Sequence, residues 1–226
     1  MNSEFKIKVE EKASKKEVIK EIFEWAVCIV VAVILALLVR HYIGTPTIVK
    51  HPSMTPTLLS DERLILNRLE LRLGKGVEKG DIITFEAPST SYVPAYQIDE
   101  NNHMAEYEYK IDGWFQNFIY HVLEINKISY IKRVIAVEGE HIKIEDGKVY
   151  INGELYNEPY LPEGTITTDG NGFFLDLVVP EGAVFVMGDN RSNSTDSRSF
   201  GCVPVEKIES KVLLRFWPFD KFGTVE

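Results

Sequence analysis

Hydrophobic positions along this chain form two patterns, one unbroken apolar block near the start and short alternating runs after it. The block runs from Trp25 to Val39, fifteen residues without a charge, and its apolar flanks extend it to residues 22–43. At about 1.5 Å rise per residue, such a helix spans roughly 33 Å, enough for a bilayer core of about 30 Å if Glu24 and Arg40 reach out to the interfaces. The block therefore predicts a transmembrane helix at 22–43.

Two alternatives to a membrane anchor fit the apolar block in part. A buried core helix is one, because fifteen uncharged residues are few for a span, although a surface helix of a small domain would show a polar stripe. A cleaved signal peptide is the second, but no small-x-small site follows the block, which continues into Arg40. We therefore expect an uncleaved anchor.

The charges that flank the block predict its orientation. Six lysines precede it, whereas the next twenty residues carry only Arg40 and Lys50. Positive charge favours the cytoplasmic side, so we expect a cytoplasmic segment at 1–21 and an extracytoplasmic domain at 44–226, both at the cell membrane. Residues 1–24 hold six lysines and six glutamates, so the net charge of −9 lies in the outer part. Nucleic acid requires a basic face, and we expect no such partner.

Beyond the block, short runs rich in β-branched and aromatic residues are bounded by Gly, Pro or Asp, which is typical of strands. Asp146-Gly147 between two of the runs indicates a tight hairpin turn. The pattern predicts a mainly β domain, an antiparallel sheet of barrel-like form. Seven strands are predicted, at residues 62–68, 81–86, 129–137, 141–145, 148–151, 183–187 and 211–217.

Residues 87–128 interrupt this strand pattern. They begin with a turn-rich stretch, pass through polar residues and end at 114–127, where apolar residues recur at helical spacing. We interpret this segment as a small lobe inserted within the domain.

The two cysteines do not indicate a disulfide or a metal site. Cys28 lies in the predicted helix and Cys202 in the outer domain, and no CxxC or clustered Cys/His pattern is present. We expect no structural metal and no cofactor.

Ser53 is the first candidate for chemistry. It stands in the sequence HPSMTPTL at 51–58, about ten residues outside the predicted helix. A serine between prolines is usually a turn residue whose hydroxyl bonds local backbone. A serine hydroxyl becomes a nucleophile only when a neighbouring base takes its proton. The rigid prolines and the position beside the membrane favour the interpretation of Ser53 as a nucleophile over that of a turn residue.

Lys132 is the candidate base, in the predicted strand at 129–137. Strand alternation puts Lys132, Val134 and Ala136 on one face and Arg133 on the opposite face. Lysine accepts a proton near neutral pH only when burial lowers its pKa by about 2 to 4 from about 10.4. A solvated lysine on an edge strand is the commoner structure for this pattern alone.

A polar segment, GDNRSNSTDSRSFG at 188–201, follows the predicted strand at 183–187. Its composition alone is typical of a flexible loop. Its charge pairs and hydroxyls also suit a buried hydrogen-bonded network, and loops positioned by strands commonly carry sites.

Taken in chain order, these segments resemble the bacterial type I signal peptidases. The motifs that carry the resemblance are the anchor, PSMTPTL at 52–58, GDIITF at 80–85, KRVI at 132–135 and GDNRSNSTDSR at 188–198. The last motif is highly specific. The resemblance does not cover the first 24 residues or the insertion at 87–128.

The resemblance implies a serine endopeptidase with Ser53 as nucleophile and Lys132 as general base, and Ser194 as the residue that orients the lysine amine. The implied substrates are secretory preproteins, cut after small residues at the first and third positions before the scissile bond. Such an enzyme would work at the lipid bilayer, near the export translocon.

The resemblance also implies supporting contacts and shows two departures, one of them Gly139-Glu140 where the family usually has Gly-Asp. Asp189 is expected to pair with Arg133, while Asp196 and Arg198 are expected to hold the loop in place. Some members carry a hydroxyl residue, a second oxyanion donor, where this chain has His51.

Two rival functions compete with this interpretation. One is a different Ser/Lys peptidase, such as a self-cleaving repressor, but the anchor and the lack of a DNA-binding segment argue against it. The second is a catalytically inactive membrane-tethered β-domain scaffold, which has no need of either Ser53 or Lys132.

Overall fold

The protein consists of two compact units, one ending at Val39 and one beginning at Arg40. The computed structural model describes the following residues: 15–91, 93, 102–108, 113–120, 124, 127–169, 172 and 174–225.

The apolar block forms one long helix, α1, at Lys15–Tyr42. Its Lys16–Arg40 part is long and apolar enough to cross a membrane, and none of its most apolar stretch is buried in protein. Trp25, for example, is 71% exposed. Such exposure does not fit a buried core helix and is consistent with the predicted anchor.

The unit that begins at Arg40 is mainly β, as predicted. Two further short helices belong to its first half, α2 at Leu69–Arg72 and α3 at Trp114–Phe118, and a third, α4, lies at Ser197–Phe200. Eleven strands lie in the described residues: β1 Gly44–Ile48, β2 Arg63–Asn67, β3 Ile82–Glu86, β4 Ser129–Val137, β5 His141–Glu145, β6 Lys148–Ile151, β7 Glu154–Leu155, β8 Asp176–Val178, β9 Ala183–Met187, β10 Val203–Pro204 and β11 Ile208–Trp217.

The strands form two antiparallel sheets. The larger has seven strands in the order β1-β2-β11-β3-β4-β9-β10, and the smaller has four in the order β7-β6-β5-β8. The barrel-like form that we predicted is not found, because β1 pairs only with β2 and β10 only with β9 among the described strands. The larger sheet therefore stays open at both edges.

Side-chain alternation in β4 breaks at one point. Val134 and Ala136 face successive residues of β9, so Ile135 is an extra residue in the ladder. Ile135 and Ala136 both join the core between the two sheets, whereas Val134 lies in the core on the opposite face of the larger sheet. The prediction that Val134 and Ala136 share a face is wrong because of this bulge. Lys132 and Arg133 precede it and keep the regular alternation.

Described parts of the insertion at 87–128 pack against the rest of the domain. The Val93 N–H donates to the Ser199 carbonyl at 3.0 Å, and the Ala105 N–H donates to the Cys202 carbonyl at 2.8 Å. Val93 and Ala105 are both buried, one in each of the two cores that flank the larger sheet. Val93 and Ala105 of the insertion therefore form part of the two hydrophobic cores of the domain.

A polar cluster ties the second half of the insertion to the larger sheet. Glu86, at the end of β3, accepts hydrogen bonds from the Tyr120 hydroxyl at 3.1 Å and from Lys207 at 3.4 Å. The Tyr107 hydroxyl donates to the Glu86 carbonyl at 3.1 Å, and Lys207 lies 4.6 Å from the centre of the Tyr107 ring. Burial, reinforced by the charges of Glu86 and Glu209, raises the pKa of Tyr107, which stays a neutral donor.

The predicted helical stripe at 114–127 is only partly seen. Helix α3 covers its start, and residues 121–123 and 125–126 lie outside the described part of the chain. Trp114 in α3 is 82% exposed, so this aromatic side chain does not pack on the domain.

We predict that Tyr107, and not the aromatic start of α3, holds the insertion in place. Tyr107→Ala removes an aromatic side chain packed on the core and should lower the free energy of unfolding by about 2 kcal/mol, or the Tm by about 4–8 °C. Trp114→Ala, its matched control, should change stability by less than about 0.5 kcal/mol. Thermal unfolding of the full chain in detergent measures both. A larger loss for Trp114→Ala would contradict this assignment.

Candidate active site

Ser53 lies in a short 3-10 turn, Pro52–Met54, that follows β1. Met54 and Leu58 are fully buried and fix this turn to a hydrophobic core that it shares with β2. Ser53 itself is half-buried, and His51, immediately before the turn, is exposed and makes no capping hydrogen bond with its side chain. Apolar anchors on one side of the turn thus hold the serine at the surface.

Lys132 reaches this serine from β4. Its Nζ is hydrogen-bonded to Ser53 Oγ at 2.8 Å and donates to the Ile131 carbonyl at 3.1 Å. The Tyr130 ring centre lies 5.4 Å from the same nitrogen. Lys132 is 4% exposed, so a strand and a turn far apart in sequence form one contact that is almost sealed from water.

Burial lowers the pKa of Lys132 from 10.5 to about 8. Desolvation of the charged amine is the largest cause, and the positive charge of Arg198 adds to it. The carboxylates of Asp196 and Asp189 act in the opposite direction. The result lies in the range that a neutral lysine base requires near physiological pH.

Arg133 points to the opposite face of β4 and binds Asp189. Its Nε and Nη2 donate to the Asp189 carboxylate at 3.0 and 2.9 Å, and its Nη1 donates to the Gly80 carbonyl at 2.9 Å. The guanidinium lies 3.9 Å from the centre of the Tyr160 ring. Arg133 and Asp189 are both buried, and this fork-shaped pair joins β4 to the loop after β9.

Asp196 and Arg198 form a second buried pair in the same loop. Arg198 donates to Asp196 at 2.8 and 2.7 Å, and it also binds the carbonyls of Thr168 and Arg191. Burial alone would raise the pKa of Asp196, but the charge and hydrogen bonds of Arg198, with the Gly188 N–H, hold it below its ordinary value. Asp196 therefore stays ionised and fixes the loop.

Ser194 makes no hydrogen bond with the lysine amine. Its hydroxyl oxygen is buried and forms no hydrogen bond of ordinary geometry among the described residues, although the Ser194 side chain helps to lower the pKa of Asp196. It lies instead against Gly188, where a Cβ would stand 2.2 Å from Ser194 Oγ and 2.4 Å from the Ser53 carbonyl oxygen. The orientation of Lys132 by Ser194 stays a prediction.

Two loop residues with direct contacts were missed by sequence reasoning. Arg191 is 2% exposed, and its Nε donates to the Gly188 carbonyl at 3.1 Å. The N–H of Asn190 donates to the Ser53 carbonyl at 3.0 Å. Both belong to the motif at 188–198, but only the folded backbone brings their partners near.

No group of three or more His, Cys, Asp or Glu side chains suited to a metal ion is found in the described part of the chain. The charged side chains around Ser53 are instead matched in Arg-carboxylate pairs. The arrangement offers a nucleophile, a proton acceptor of lowered pKa and a stiff polar loop, which suit acyl transfer.

Comparisons with known proteins agree with this chemistry. The family model described as "Signal peptidase, peptidase S26" matches residues 22–217. Signal peptidase IB of Staphylococcus aureus strain COL is 33% identical in an alignment of 216 residues that covers 90% of this chain and 93% of that protein. Signal peptidase I T of Bacillus subtilis strain 168 is 34% identical over 93% of each chain.

A solved signal peptidase I from Enterococcus faecalis V583 is also similar. It is 25% identical, with a TM-score of 0.37, and the match covers 61% of this chain and 97% of that one.

The fold and the site define a serine peptidase with an N-terminal apolar helix, consistent with a membrane-anchored enzyme. The chain belongs to the signal peptidase family, peptidase S26, as a bacterial type I signal peptidase. Its substrates are accordingly preproteins that carry signal peptides.

We predict that Gly188→Ala strongly impairs catalysis without unfolding the enzyme. The added methyl would lie under 3 Å from both Ser194 Oγ and the Ser53 carbonyl, so the turn must move, and a displacement of about 1 Å can cost about a hundredfold in rate. Gly76→Ala is the matched control, since nothing lies within 4 Å of a Cβ there. Measured kcat/KM should fall about a hundredfold for Gly188→Ala alone. Near-native activity in that variant would contradict the close approach.

Proposed function

We propose that this signal peptidase cleaves by a Ser53/Lys132 dyad. The observation that carries the proposal is the 2.8 Å hydrogen bond between Ser53 Oγ and Lys132 Nζ, together with the lowered pKa of that lysine. A scaffold without activity has no reason to bury an amine against a serine.

The dyad accounts for both halves of the reaction. Neutral Lys132 takes the Ser53 proton while Oγ attacks the carbonyl carbon, and the oxyanion accepts a hydrogen bond from the Ser53 N–H, near the start of a turn where N–H groups lack internal partners. When the C–N bond breaks, Lys132 returns the proton to the leaving amine. It then takes a proton from the water that attacks the acyl ester and passes that proton to Ser53 Oγ as the ester C–O bond breaks, which restores the neutral dyad and releases the acid product.

Supporting roles follow from the contacts of the loop. Asp189 and Arg133 would lock the loop to β4, and Asp196 and Arg198 would keep it rigid. Ser194, whose hydroxyl is buried beside Gly188, would turn towards the lysine amine during turnover.

The finer features of substrate and topology belong to the same proposal. We propose that cleavage follows small residues at the first and third positions before the scissile bond. The six lysines that precede the apolar block favour a cytoplasmic N-terminal end for α1 and a β domain outside, beside the lipid surface and the export translocon, where signal peptides emerge.

Replacement of either dyad member tests the mechanism. Ser53→Ala and Lys132→Met should each reduce kcat by several orders of magnitude, since members of one catalytic unit fail together. Exposed Ser60 and Lys148 supply the controls Ser60→Ala and Lys148→Met, which should stay within about twofold of the native rate, as is usual for surface changes. A preprotein cleavage assay in detergent measures all four. Turnover within about tenfold of native in Ser53→Ala or Lys132→Met would exclude that residue as a dyad member.

The pH dependence of kcat/KM tests the base separately. Because protonated Lys132 cannot accept the serine proton, activity should fall as pH drops through an apparent pKa of about 8 and level off above it. Rates from pH 6 to 11 with a neutral peptide substrate define this limb. A limb near the ordinary lysine value, or none, would rule out Lys132 as the base.

A further inference from the structure

Asn190 makes two hydrogen bonds to the turn that carries Ser53. Its backbone N–H donates to the Ser53 carbonyl at 3.0 Å, and its side-chain Nδ2 donates to the Pro52 carbonyl at 3.1 Å. The acceptors are consecutive carbonyls of the chain. One residue of the loop therefore fixes two adjacent peptide units of the nucleophile turn.

The bond to Pro52 has a specific geometric consequence. The Pro52 carbonyl and the Ser53 N–H belong to the same peptide unit, which is trans. In a planar trans peptide the C=O and N–H point in opposite directions. The Pro52 oxygen also accepts the Thr55 N–H of the turn at 3.1 Å, so Asn190 is the second donor that holds this oxygen. Together the two donors set the direction of the Ser53 N–H and polarise it through the peptide.

Asn190 is itself held by a rigid neighbour. The Arg191 side chain donates from Nε to the Gly188 carbonyl at 3.1 Å and from Nη1 to Thr167 and Glu158 at 2.8 and 3.1 Å. Arg191 is 2% exposed. The backbone on both sides of Asn190 is thus anchored. This anchoring keeps the Asn190 side-chain amide in position from one catalytic cycle to the next.

We propose that Asn190 is a positioning residue that aims the Ser53 N–H at the developing oxyanion and fixes Ser53 Oγ in line with its base. The proposal rests on the proposed dyad. In this proposal the side-chain amide of Asn190 helps to stabilise the transition state and does not bind the substrate.

Two substitutions of Asn190 separate the hydrogen bond from the shape of the side chain. Asn190→Asp keeps the shape but replaces the Nδ2 donor with an acceptor, and Asn190→Leu removes all polarity at a similar size. Ser60→Ala is again the control, because Ser60 is exposed and lies outside the loop at 188–201.

We expect both Asn190 variants to lower kcat by about tenfold to a hundredfold with KM within about threefold, since a misdirected oxyanion donor weakens the transition state alone. In Asn190→Leu, which adds no charge, the midpoint of the acid limb should stay at the native value because Lys132 remains buried. Ser60→Ala should match the native enzyme. If one variant fails to fold, the second carries the test.

Several results would overturn the proposal. A kcat within about threefold of native in a folded Asn190 variant removes the positioning role, and a raised KM at native kcat makes Asn190 a substrate contact. A shifted acid limb in Asn190→Leu shows that the residue acts on Lys132 instead. Ser53→Ala, assayed in parallel, separates the two hypotheses: if it is inactive while Asn190→Leu is active, only this inference fails, whereas an active Ser53→Ala refutes the dyad itself.

Discussion

The exclusion of water from Lys132 is the constraint on which the rest of the site depends. An amine with a pKa of about 8, against an ordinary value of 10.5, is less stable in its charged form by about 3 kcal/mol. The pH dependence of this cost follows from the number of protons that the folded and unfolded states bind. Between these two pKa values the unfolded chain binds more protons than the folded one, so this cost is full below the lower value and disappears as pH rises towards the upper one. The fold thus gives up stability at neutral pH for a base that is partly neutral there.

Such a lysine stays neutral only if no carboxylate is free to pair with it. Asp189 and Asp196 both act on the amine, and each is already bound by an arginine, Arg133 and Arg198. The pairs are buried and nearly closed, which lowers the attraction that remains for Lys132. The arginines of the site therefore have an electrostatic task besides holding the loop.

Patterns among residues close together in the sequence predicted much of this fold. Features that depend on pairing between distant strands were not predicted. The strands of β4, β5, β6 and β9 begin and end as expected, because alternation and turn residues are local signals. The edge strands β1 and β10 were missed because Pro46 and Pro204 interrupt the strand pattern of the sequence. Proline is tolerated in an edge strand because one side of such a strand does not need to donate backbone N–H groups to a neighbouring strand. The bulge at Ile135 and the open sheet depend on partners distant in sequence.

The same distinction holds for the site. Sequence motifs indicated Ser53 and Lys132 as the candidate dyad. Asn190, in contrast, donates to backbone carbonyls, and because every residue type has a carbonyl, the sequence carries no signal for these contacts. Only the folded chain shows which carbonyl is reached.

A polar loop of this kind can be as rigid as a hydrophobic core. Arg191 and Arg198 are among the largest fully buried side chains of the protein, and their guanidinium donors bind carboxylates and backbone carbonyls around them. In a medium of low dielectric a satisfied network of this type resists distortion, because each broken bond leaves a buried polar group without a partner. Placing the dyad against such a loop fixes distances that a solvated loop could not, and a proton transfer over 2.8 Å depends on those distances.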